Sequence, residues 1–155
     1  QRMGLLEPHG RGDGAGRPNE VSRRRILVHS LREAEAVLAA AVCVGVPVML
    51  ASAAHAGCYV GPRWFLALFA AASATHPAAD AECLIDCADE PGTAFAALRA
   101  GAKRVRFTGR AELRAKLAEI AEAYGAALEH EEAPALDLLD AADPMGAALD
   151  YLKTS

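Results

Sequence analysis

Along this chain, short apolar runs alternate with longer stretches in which apolar residues recur every three or four positions. That alternation predicts β and α elements in turn. Arg25-Ile26-Leu27-Val28-His29 opens the pattern as a first strand, and Ser30-Leu31-Arg32-Glu33 follows with the Ser-x-x-Glu spacing of a capping box. The helix it starts carries Ala34, Val37, Leu38, Ala41 and Val42 on one face and ends at Gly45, a residue suited to a left-handed terminus. Val46 to Ser52 predicts the second strand. The connection after it, 53–61, is the longest inside the domain, and Gly61-Pro62 begins a helix over 62–76 with proline at its first position.

Cys83-Leu84-Ile85-Asp86-Cys87-Ala88-Asp89 reads as a buried third strand that runs through Glu90-Pro91-Gly92-Thr93 into a helix closed by Gly101. Arg104-Val105-Arg106-Phe107-Thr108 alternates as a fourth strand with one face partly solvated. An amphipathic helix from about Arg110 places Leu113, Leu117, Ile120 and Tyr124 at core spacing, and Gly125 closes it before a short fifth strand, 126–130. Asp143-Pro144 supplies an N-cap and first residue for a last helix ending near Leu152.

Repeated β-α units imply a parallel sheet covered by helices. The expectation is a single three-layer α/β domain over 23–155, with roughly five parallel strands in flavodoxin- or Rossmann-like order. The alternative is a half (β/α)8-barrel with strands in sequential order, which would leave apolar surface exposed and dimerise. Residues 1–22, rich in Gly, Arg and Pro without apolar periodicity, are expected to be a disordered or loosely packed tail.

Composition narrows the function classes. The 155 residues are 53% apolar but only 5% aromatic, and the net charge is −4. Neither a stacking platform nor a broad basic surface for nucleic acid is expected. Ala36 to Ala54 is uncharged, but Gly45-Val46-Pro47 divides it into a helix and a strand, so no membrane span is expected. No apolar leader precedes the first strand, and a cytoplasmic location with reduced thiols at Cys43, Cys58, Cys83 and Cys87 is the expectation. Cys83 and Cys87 lie roughly 13 Å apart along a strand, too far to share one metal ion. No motif specifies a cofactor.

The candidate site follows from architecture. Ligands of open parallel sheets bind beyond the carboxyl ends of the strands. Asp86 falls at such an end, on the opposite strand face from Cys83 and Cys87. On an apolar face, desolvation would raise its pKa toward acid–base use; the competing role is to cap the next helix or bond a loop amide. His55 and Cys58, in the long loop, are the candidate partners for catalysis, as base and nucleophile. Ser30, Arg63, Asp89 and Thr108 are candidate ligand contacts, Arg63 beside a helix N-terminus suited to an anion. Asp86 and Thr108 also resemble the phosphoreceiver pattern, but the first strand ends in His29-Ser30 rather than an acidic pair and no lysine ends the fifth.

Three functions remain: a domain binding a small anionic metabolite, a small lyase or hydrolase using Asp86 with His55 or Cys58, and an oligomeric interaction subunit. The helix over 62–76 carries no charge from Trp64 through Thr75 and is the expected homo-oligomer contact.

Overall fold

The computed structural model describes residues 22–54, 56 and 60–154. Its elements are β1 (Arg24–Leu27), α1 (Leu31–Val44), β2 (Val48–Ala51), α2 (Pro62–Thr75), β3 (Ala81–Asp86) and α3 (Pro91–Arg99). They continue with β4 (Arg104–Arg106), α4 (Ala111–Ala123), β5 (Ala127–Glu129), β6 (Ala135–Asp137) and α5 (Pro144–Lys153). The expected tail, apart from Ser22, lies outside the described residues, as do His55 and Cys58.

Local chemistry sets several boundaries where the residue pattern placed them. Ser30 Oγ accepts from the Glu33 amide at 3.2 Å, and Glu33 Oε1 reaches back to the His29 amide at 2.7 Å. That reciprocal pair satisfies donors the first turn of α1 would otherwise leave open. Asp143 Oδ1 caps α5 by accepting from Gly146 N at 3.1 Å. Gly45 ends α1 at φ 79°, where any side chain would be strained.

The six strands form one sheet in the order β5-β4-β3-β2-β1-β6, every pair parallel. A parallel α/β sheet was expected, and it is present; its strand order is that of the half-barrel alternative rather than the flavodoxin-like one. Sequential order with right-handed crossovers gathers the helices along one face. Ile26, Val28, Val48, Leu50, Cys83, Ile85, Val105 and Phe107 point to that face and share a single core with buried residues of all five helices.

The opposite face is concave, and a salt bridge measures its curvature. The hydrogen-bonded register carries Arg25 through Met49 to Glu82 and, extended across β4, to Gly125. Yet Arg25 bonds Glu129, four residues further along, with Nη1–Oε1 and Nη2–Oε2 both at 2.7 Å. Four residues over four strand steps is about one residue per strand, the stagger of an eight-stranded barrel with shear 8. The sheet therefore curls until its first and fifth strands face each other. The same face carries a small second cluster of Met49, Ala51 and Leu84, all buried, with Leu27 packed against them.

β6 was not expected. Its three residues stand between Glu131-Glu132-Ala133-Pro134 and Leu138-Leu139, with no run long enough to announce a strand. Pairing with β1, Arg25 opposite Ala135 and Leu27 opposite Asp137, creates it. β3 also ends earlier than its apolar run: Cys87, Ala88 and Asp89 follow the strand as a turn.

Candidate functional site at the carboxyl ends of the strands

Asp86 is the last residue of β3, and its neighbour in register on β4 is Arg106. Both belong to the concave face, and both are buried, Asp86 at 6% and Arg106 at 8% exposure. Arg106 Nη1 donates to Asp86 Oδ2 at 2.9 Å. Oδ1 accepts from the Ala88 amide at 2.9 Å, while the Asp86 amide donates to Ser52 Oγ at 2.9 Å. Both carboxylate oxygens are thus engaged. The solitary carboxyl on an apolar face, expected from the strand alternation, is replaced by a buried ion pair. Of the two competing roles, bonding a loop amide is the one seen. Capping is not, since α3 has Glu90 at its N-cap and no side-chain cap bond.

The Asp86–Ala88 bond holds an unusual turn. Ala88 has φ 51°, in the left-handed region that costs a residue with a Cβ about 1 kcal/mol. Its carbonyl accepts from the Thr108 amide at 2.8 Å, and the Cys87 amide donates to the Arg106 carbonyl at 2.9 Å. The loops leaving β3 and β4 are therefore tied backbone to backbone at this edge.

Arg106 has a second feature. Its Nε–H is buried and has no acceptor among the described residues. A buried unsatisfied donor costs about 1–3 kcal/mol and calls for an explanation such as a water or ligand.

Lower on the concave face a charged belt joins four strands. Glu129 takes the Arg25 fork and also Arg104 Nη1 at 3.1 Å, and Glu82 sits 3.7 Å from Arg104 and 3.6 Å from Arg23. Burial pushes the Glu129 carboxyl up, but the hydrogen bonds and charges of Arg25 and Arg104 outweigh it and hold the group below its ordinary value. At the other margin His29 Nε2 bonds Asp137 Oδ1 at 2.7 Å and ties the end of β1 to β6. Partial burial raises the Asp137 carboxyl, and the His29 bond with the Leu139 amide more than offsets this, leaving it lowered.

The remaining candidates separate. Ser30 is committed to capping α1. Arg63, Asp89 and Thr108 are exposed. His55 and Cys58 lie outside the described residues. The residues missed from sequence are Arg106, Arg25, Glu129 and the Arg104–Glu82 contact. Their signal was available as charges of opposite sign at period two on consecutive strands, which in a parallel sheet share one face.

No family model matches this chain, and no curated protein matches it. Among solved structures, a protein from Coccidioides immitis assigned as a fructose-1,6-biphosphate aldolase aligns with a TM-score of 0.60 and 19% identity. The alignment covers 70% of this chain and 40% of that protein, so the chain spans well under half its length. The likeness is one of fold: sequential parallel strands of the TIM-barrel type, in agreement with the order and stagger above.

No helix among the described residues is long and apolar enough to cross a membrane.

Proposed function

We propose that the domain binds a small anionic metabolite at the carboxyl ends of β3 and β4, with Arg106 as the cation that meets it. The observation that carries this reading is the buried Nε–H of Arg106, left without an acceptor while Asp86 fixes the other edge of the guanidinium. A planar guanidinium anchored on one side presents its remaining donors in a fixed direction, suited to a carboxylate or phosphate oxygen. The helices that leave this edge offer further donors: neither α3 nor α4 begins with a side-chain cap bond, although Glu90 at the N-cap of α3 and Glu112 in the first turn of α4 offset part of their N-terminal positive charge. Thr108 and Asp89 flank the same edge.

The test titrates the protein with orthophosphate and with a short dicarboxylate by calorimetry, comparing wild type with Arg106→Lys and with the double variant Asp86→Asn/Arg106→Gln. The double variant leaves no buried charge behind. Saturable binding lost in both variants supports the reading; equal binding in all three proteins, or none in wild type, refutes it. Asp86→Asn alone should keep or strengthen binding, because it removes the negative charge that competes for Arg106.

A lyase or hydrolase using Asp86 with His55 or Cys58 is less well supported, because both Asp86 oxygens already have partners. Loss of turnover in Asp86→Asn with ligand binding intact would restore it. A homo-oligomeric subunit joined through α2 is a separate reading. It is favoured by Trp64, 42% exposed, at the head of a stretch without charge through Thr75, while the helix buries only Phe65, Leu68 and Ala72 among its described residues. Light scattering on Trp64→Glu tests it: a wild-type dimer that becomes a monomer supports the contact, and a wild-type monomer at micromolar concentration refutes it.

A further inference from the structure

At the opposite end of the strands, away from the carboxyl edge, a groove of about 280 Å³, half open to solvent, lies between α2 and the start of β3. Leu66 and Phe69 of α2 form one wall and Ala81 and Cys83 of β3 the other, with Gly101 and Lys103 closing the side toward β4. An enclosed apolar cavity of roughly 150 Å³ takes up benzene; by volume alone this groove has room for about two fused rings. The space exists because Ala81 and Gly101 contribute almost no side-chain volume between Phe69 and the strand.

Two charged residues border the groove, one of each sign. The Glu82 carboxylate turns to Arg23 and Arg104, 3.6 and 3.7 Å away. Lys103 is exposed and makes no ion pair among the described residues. Burial first, and the Glu82 charge second, push the Cys83 thiol up to about 12, so that wall is neutral at physiological pH. What remains is an apolar slot with the exposed Lys103 ammonium at its rim and the Glu82 carboxylate drawn toward Arg23 and Arg104.

We propose that this groove binds an aryl carboxylate of about two fused rings, the rings lying between Phe69, Leu66 and Cys83 and the carboxylate on the Lys103 ammonium. Aromatic walls reward a flat apolar body, and a flexible rim lysine suits a point anion. The site is independent of Arg106 and lies at the other end of the sheet.

The experiment titrates the full chain with 2-naphthoate and with neutral 2-naphthylmethanol, following backbone amides by NMR. Saturable shifts centred on Gly101 and Lys103 are expected for both. Lys103→Met, an exposed change that leaves the fold alone, should weaken 2-naphthoate about three- to tenfold and leave 2-naphthylmethanol unchanged. Leu66→Trp should fill the slot and abolish both, with circular dichroism confirming its fold. The proposal is overturned if 2-naphthoate gives no saturable shifts at these residues, if Lys103→Met affects the two ligands alike, or if a folded Leu66→Trp still binds. Should Leu66→Trp fail to fold, the two ligands' response to Lys103→Met decides.

Discussion

Glu129→Gln should be the most damaging single-charge change on the concave face. Glu129 receives both arms of Arg25 at 2.7 Å and Arg104 at 3.1 Å, and the three side chains are only 13–17% exposed. At an effective dielectric of about 20, each close pair is worth roughly 4 kcal/mol before desolvation is charged against it. Removing one partner of a buried pair costs about 3–5 kcal/mol, because the opposite charge stays buried and uncompensated. Here two guanidinium groups lose their partner, while the residual exposure lets water recover part of the loss. The expected destabilisation is about 2–4 kcal/mol, or roughly 4–16 °C in melting temperature for a domain of this size.

Urea unfolding followed by circular dichroism measures it, with Glu131→Gln, fully on the surface, as the control expected within about 0.5 kcal/mol. The pH dependence has a definite sign. The folded-state pKa of Glu129 lies below its unfolded value of about 4.3, so its stabilisation is complete above that value and disappears as pH falls through the folded pKa. Wild type should lose stability steeply below about pH 4.5, and Glu129→Gln should lose less over the same interval. If Glu129→Gln matches Glu131→Gln at pH 7, the clasp between β1 and β5 does not hold the curled sheet.

Three further outcomes test the geometry around the site. Ala88→Gly should stabilise the protein by about 0.5–1 kcal/mol, since glycine accepts φ 51° without a Cβ penalty; a loss measured by urea unfolding would mean the turn is not strained. Asp137→Asn should loosen β6 rather than the whole domain: hydrogen exchange at Leu136 through Leu139 should accelerate while β2 and β3 keep their protection, and uniform acceleration would contradict a local role for the His29 bond. Gly109→Ala would bring a Cβ within 2.3 Å of the buried Phe107 ring, so a loss of about 1–3 kcal/mol in thermal unfolding is expected, and an unchanged melting temperature would show that the ring can move aside.

Much of the fold was legible because its signals are local. A capping box needs only Ser30 and Glu33, three residues apart, and a cap at Asp143 needs only the next turn. The division of β3 into Cys83, Ile85 and Cys87 on one face and Leu84 and Asp86 on the other follows from the strand period alone, and the core adopts it. The site was half legible: Asp86 stands at the edge expected of a parallel sheet, but its environment was misjudged. Arg106 alternates with buried Val105 and reads as a solvated cation until β4 is laid beside β3.

The sequence by itself determined the alternation of elements, most of their ends, and which residues of each strand share a face, because those depend on neighbours within a turn or two. Tertiary structure alone decided the strand order, the existence of β6, and the partner of every charge on the concave face. Arg25 and Glu129 are 104 residues apart, and no local period relates them. They meet because each parallel strand steps about one residue along the next, and that stagger accumulates until the first and fifth strands stand opposite. Curvature is a property of the assembled sheet, and it turns scattered surface-like charges into paired groups on one concave face.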